Sequence, residues 1–339
     1  MSEYKNMEGV NQSTLKYILE SPKSYLAKVE QQSCSTASHF AMGTLVDMLC
    51  LSESNEVYDK FYISDIQIDP ENKVNQIVKA VYDTVIASGE DKDFMDLDMF
   101  EDKILSAAEA ISYQANWKPE TRVKKIIEEG SEYFNMLSLS EGKTIVSRIV
   151  YDTAKLISAK IKASEATKHY FINTSEIEVR KHLALKFTYL NVECKAELDL
   201  LIINHKTKEL LEADIKTTSS EIENFSYEFF KYKYYFQRAF YRLAIIHGLL
   251  QQEEFKDYTY LGSHLIVANV NDMRVATFVV PAKYLNSDGF IINGKKYEGV
   301  THAINRLKYH RANEVWEFPM EYYKNDRRLL IKDGYEENS

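Results

Sequence analysis

The sequence predicts an α/β protein, a mixed β-sheet flanked by helices and preceded by a helical N-terminal half. Three observations carry this. Apolar residues recur at helical spacing through the first 170 residues, the period changes to two after residue 174, and an aromatic helix then separates one group of strands from the next. With 339 residues, 45% apolar and 27% charged, and only 11 Gly and 5 Pro, the chain can bury a substantial core, and its composition is neither disordered nor collagen-like.

The elements follow in order. Leu15, Ile18, Leu19, Tyr25 and Leu26 fall at helical spacing around Ser21-Pro22, where the proline opens a new first turn. A second helix is expected from about His39 to Leu51. Phe40, Met42, Leu45, Val46, Leu49 and Cys50 make it apolar nearly all round, as a buried helix is, with Asp47 the exception. From about Asn72 to Thr167 the pattern is helical and polar. The acidic run Glu90 to Asp98 within it lacks the glycine and closing glutamate of a calcium loop, which leaves a solvated loop and helix start.

Strands are expected around Ile177, Val179, Leu183 and Leu185, then over Val192 to Ile203 and Glu209 to Thr217. One long helix should run from Ser226 to Leu250, stopped by His247-Gly248. Strands Tyr260 to Val270 and Arg274 to Val280 and an amphipathic helix from about Gly299 to Arg311 complete the pattern. The expected organisation is a helical region over 1–170 that contributes its 39–51 helix to the site, a core over 171–315 and a tail over 316–339, in one compact unit.

With 42 basic and 51 acidic residues, the net charge of −9 argues against coating nucleic acid non-specifically. It leaves room for a local basic groove, because attraction to phosphate decays within roughly 8 Å at physiological salt. Cys34, Cys50 and Cys194 cannot pair evenly and show no CxxC spacing, which points to a reducing compartment and excludes a four-thiolate cluster. The eight histidines are scattered without zinc spacing. No window approaches the roughly 18 apolar residues of a membrane span and the N-terminus lacks a signal pattern, so the expected location is the cytoplasm, without membrane.

The chemistry concentrates in a hairpin. If its turn, Asn204 to Lys208, is centred between Lys206 and Thr207, Asp199 stands opposite Asp214 and Glu197 opposite Lys216, all on one face. Leu198, Leu200, Ile202, Leu211, Ala213 and Ile215 then make the other face core. Facing carboxylates repel, so a divalent cation or a nearby lysine must offset them. A solvated face with a Lys–Glu cross-strand pair fits the spacing as well. On the next helix Gln237 and Tyr241 share a face, with Lys233, Arg238 and Arg242 on or beside it and tyrosines between. That pattern suits phosphate and sugar contacts, and equally a Tyr-rich core helix with snorkelling cations.

Taken together, Glu197-Leu198-Asp199, Asp214-Ile215-Lys216-Thr217-Thr218 and Gln237-Arg238-Ala239-Phe240-Tyr241 resemble the GxxD, (D/E)xKT and QxxxY motifs of the PD-(D/E)XK nucleases, in the branch of RecE, RecB and phage lambda-type exonucleases. Asn11 to Lys16 with Ser21 to Leu26 resembles the N-terminal signature of phage RecE-type proteins, and Met42 to Asp47 their GxxxH helix. The resemblance spans about residues 10 to 250. It implies a restriction-endonuclease-like core and an exonuclease that resects double-stranded DNA ends for recombination or repair, using Mg²⁺ or Mn²⁺.

On that resemblance, Asp199, Asp214 and Lys216 are the catalytic residues, and Asp47, Asp199, Asp214 and the Ile215 carbonyl the metal ligands. Gln237, Tyr241, Lys233, Arg238 and Arg242 would meet DNA, with Glu197 and Glu178 as further candidate carboxylates. Asp47 stands where many relatives have histidine, and Glu197 where they often have a small residue. A single-strand annealing protein or recombinase and further copies of the chain are the implied partners. An endonuclease of the same fold and a non-catalytic DNA-binding or assembly module are the alternatives.

Overall fold

The computed structural model describes residues 3–30, 38–52, 55–67, 69, 71–89 and 96–329. Cys34 and the 90–95 part of the acidic run lie outside the described residues, as does the tail beyond 329.

In chain order the elements are α1 (Glu3–Asn6), α2 (Gln12–Leu15), α3 (Pro22–Glu30), α4 (Ser38–Leu51), α5 (Glu56–Lys60), β1 (Phe61–Ser64), α6 (Lys73–Ala87), α7 (Glu101–Ala110), α8 (Pro119–Leu139), β2 (Thr144–Ser147) and α9 (Arg148–Ala163). Then come β3 (Ile177–Tyr189), β4 (Val192–Asn204), β5 (Glu209–Thr218), α10 (Phe225–Lys231), α11 (Tyr234–His247), β6 (Thr259–Asn269), β7 (Val275–Val279), β8 (Gly289–Ile292), β9 (Lys295–Glu298), α12 (Val300–Asn313) and α13 (Met320–Lys324). They divide into two units, Thr36–Ala159 and a second made of Met1–Ser35 with Lys160–Ser339, which differs from the boundary expected near residue 170.

The first unit is helical, with one addition: the four-residue strands β1 and β2 pair in parallel. Its core packs Val74, Ile77, Val78, Val81 and Val85 of α6 against Ile104, Ile126 and Phe134. Asn72 starts α6 by accepting the Val74 N–H on its side chain at 2.8 Å, the expected cap chemistry.

The second unit is built on a five-stranded sheet in the order β3-β4-β5-β6-β7. β5 and β6 are parallel and the other neighbours antiparallel. A parallel pair needs a crossover, and α10 and α11 supply it. Phe236, Phe240 and Leu243 of α11 share one core with Leu201, Ile203, Leu210, Leu265 and Val267 of the sheet.

The register of β4 against β5 is the expected one, from Asn204↔Glu209 to Leu200↔Ala213, but the ladder stops there and the strands fork. The expected pairing of Glu197 with Lys216 is therefore not made; Glu197 pairs with Ala184 on β3. Where β5 leaves, the N-terminal segment takes the free side of β4. The Val10 N–H donates to the Glu193 carbonyl and the Lys195 N–H to the Val10 carbonyl, each at 2.9 Å. Gly9, at φ 136°, permits this approach, since a Cβ would stand 3.0 Å from the Cys194 backbone. This docking, with Leu15, Ile18 and Tyr25 buried in the sheet's core, explains why the first residues belong to the second unit.

Two further expectations change. The core set on β4 runs Cys194, Ala196, Leu198 and then Leu201, Ile203, so the alternation reverses at Asp199. His182 on β3, flanked by the pairs Lys181↔Leu200 and Leu183↔Leu198, has φ 48°, at the position opposite Asp199 that the ladder skips. The helix expected over Ser226 to Leu250 is two. Lys233 at φ 59° breaks it after Lys231 and redirects α11 across the sheet.

Candidate active site at the fork between two strands

Glu212 and Asp214 point from β5 towards α11, and both are wholly buried. A buried carboxylate needs a partner. Arg238 provides it, itself wholly buried: Nη2 donates to Asp214 Oδ1 at 2.5 Å and Nη1 to Glu212 Oε1. The guanidinium lies 4.6 Å over the Tyr241 ring, and Tyr241 accepts from Gln237 Nε2 at 3.3 Å.

At the open end of the fork the Lys216 ammonium bonds Asp214 Oδ2, lies 3.4 Å from the Ile215 carbonyl and stands 5.2 Å over the Tyr234 ring. Asp199, on the other branch, accepts the Ile215 N–H on Oδ2 at 3.1 Å. A side-chain acceptor thus replaces the lost ladder bond. The repulsion expected between Asp199 and Asp214 is offset by two cations already in place.

Burial dominates the electrostatics. It pushes Glu212 up to about 7 although Arg238 opposes the shift. It would raise Asp214 too, but Arg238 and Lys216 outweigh it and hold Asp214 below the usual carboxylate range. For Lys216 burial works downward, and Asp214 and Asp199 overcome it, so the ammonium stays charged. Burial, then Asp199, drive Tyr241 well up, which leaves its phenol protonated.

Among the described residues no three His, Cys, Asp or Glu side chains form a metal-binding group. The oxygens at the fork are those of Asp199 and Asp214 and the Ile215 carbonyl, a hard donor set suited to Mg²⁺ or Mn²⁺. Lys216 already joins two of them, so the cradle accepts a positive charge. Mg²⁺ held by one or two carboxylates keeps several waters and draws on substrate phosphate, so the residues fit that ion.

Of the expected DNA contacts, Gln237 and Tyr241 stand beside the carboxylates, but Arg238 does not face solvent at all. Its partners on β5 pull it into the core, so it holds Asp214 instead of a phosphate. Arg242 donates to the Leu285 carbonyl at 3.4 Å, and Lys233 pairs with Glu20 at 2.6 Å. Glu197 acts on Tyr4, whose phenol burial and this charge push up to about 12. Glu178 pairs with Arg180 at 2.7 Å and His205 at 2.9 Å near the hairpin turn, which occupies it away from the fork. Asp47 lies half-buried on α4, in the helical unit.

Two residues escaped the sequence reading. Glu212 was detectable as a second charge on a mostly apolar strand, at the same parity as Asp214. Tyr234 stood out only as one of the interleaved aromatics of this helix, because its place over Lys216 depends on where Lys233 breaks the helix.

No family model matches the chain, and no curated protein matches it. Among solved structures, a candidate exonuclease from Eubacterium rectale overlaps 80% of this chain and 97% of its own, with 12% identity and a TM-score of 0.35. A TM-score that low does not establish a shared fold.

Proposed function

We propose that the chain is a metal-dependent deoxyribonuclease with a PD-(D/E)XK-type core, acting on the ends of double-stranded DNA. The observation that carries it is the Lys216 ammonium bonded to Asp214 beside Asp199, where β4 and β5 part. The preference for ends rests on the resemblance of these motifs to the RecE, RecB and lambda-type branch. Asp47 plays no part in this reading.

Arg238 holds Asp214 through Oδ1, and Lys216 is bonded to its Oδ2. Asp199 is fixed by the Ile215 N–H. Lys216 supplies a fixed positive charge for the phosphate oxygens as charge develops on them. A bound Mg²⁺ would polarise the phosphate and lower the pKa of an attacking water.

The test is incubation with linear and covalently closed duplexes of the same sequence in Mg²⁺, Mn²⁺ or EDTA. Linear DNA should shorten only with metal, and closed circles should persist. Cut circles would make the protein an endonuclease; linear and circular DNA both intact with metal would refute the assignment.

A further inference from the structure

The turn between α10 and α11 carries more than a change of direction. Tyr227 and Tyr232 are 62% and 47% exposed, and the Lys231 ammonium lies over both, at 5.8 and 5.4 Å. Tyr232 continues to Tyr234 at 5.9 Å between centroids, and Tyr234 stacks on buried Phe225 at 5.9 Å and 19°. The other face of this row meets the site, because the Lys216 ammonium lies 5.2 Å from the Tyr234 centroid. Aromatic rings alternating with cations therefore run from solvent to the fork.

More positive charge gathers at the inner end. Lys233 is tied to Glu20, four residues beyond Lys16 on the docked N-terminal segment. Burial, followed by the charge of Lys233, holds the Lys16 pKa down, with Glu20 opposing the shift.

We propose that this row is a stacking platform for unpaired nucleotides, which guides a single strand of DNA into the fork. Base faces in a duplex are stacked on each other and cannot lie on a tyrosine, whereas every unpaired base offers a face to one. The row thus selects single-stranded or frayed DNA, with Lys231, Lys233 and Lys16 following the backbone. The inference rests on the nuclease reading, which it deepens by naming the form of the substrate.

The experiment is fluorescence anisotropy of a labelled oligothymidylate and a blunt duplex of equal length, in EDTA so that nothing is cut. Wild type should bind the single strand more tightly than the duplex. Tyr232→Ala and Tyr227→Ala should each weaken single-strand binding about tenfold and leave duplex binding within about twofold. Tyr232→Phe should bind as wild type does, which separates stacking from a folding defect. Single-strand affinity unchanged in the Tyr227→Ala/Tyr232→Ala double variant, or absent in wild type, overturns the platform. Cleavage of linear DNA with Mg²⁺ in that case would leave the nuclease reading standing; loss of single-strand affinity without any cleavage would do the reverse.

Discussion

Arg238 and Arg274 are both arginines surrounded by carboxylates, but one is in the core and the other is on the surface. Arg274, beyond β6, reaches Asp272 at 2.6 Å, Glu223 at 2.6 Å and Glu221 at 2.7 Å, and its side chain is 43% exposed. Arg238 meets Glu212 and Asp214 with no exposure at all. Water can replace every partner of Arg274 and none of those of Arg238. The contrast shows that the number of ion pairs says little; what matters is whether solvent can substitute for them.

The largest expected effect tests the buried member. Arg238→Ala leaves two carboxylates buried without their guanidinium, so denaturant unfolding should show a loss of about 3–5 kcal/mol. A loss below about 1 kcal/mol would show that water reaches the site and erase the contrast.

A smaller effect concerns pH. Burial raises Glu212 from the usual 4.5 to about 7, so the folded state holds this proton more tightly than the unfolded one. Its contribution to stability is present below pH 4.5 and is lost as pH rises through about 7. Glu212→Gln should flatten that part of the stability profile; the difference between the two proteins, read as Tm against pH, isolates it. Parallel profiles would mean that Arg238 keeps Glu212 ionised throughout.

The smallest effect belongs to the surface. Arg274→Ala should shift Tm only slightly, and 1 M salt should abolish even that difference. A shift as large as that of Arg238→Ala would place the Arg274 cluster in a drier environment than its exposure indicates.

The sequence revealed local periods and hid what depends on distant partners. The β4–β5 register was readable because period-two alternation and a short turn leave one pairing, but it ends at Leu200↔Ala213, so the expected facing of Asp199 and Asp214 across the ladder is not made and Asp199 instead accepts the Ile215 N–H. The change of core face on β4 after Leu198 was not readable, since it coincides with left-handed His182 on the neighbouring strand, where no glycine announces it. Arg238 looked like a DNA contact because helical spacing set it beside Gln237. Only Glu212 and Asp214 across the core make it a structural residue. The docking of Val10 on β4 likewise has no local pattern.

The central claim is that the fork cleaves DNA through Lys216 and its carboxylates. Its most direct test is the single-turnover rate on an end-labelled linear duplex in Mg²⁺, for wild type and Lys216→Ala, with thermal melting to confirm that both are folded. Wild type should cleave and Lys216→Ala should be slower by roughly 10²–10³-fold, the usual cost of losing one group that stabilises developing charge. Equal rates in the two proteins, or no cleavage by wild type, would contradict the claim.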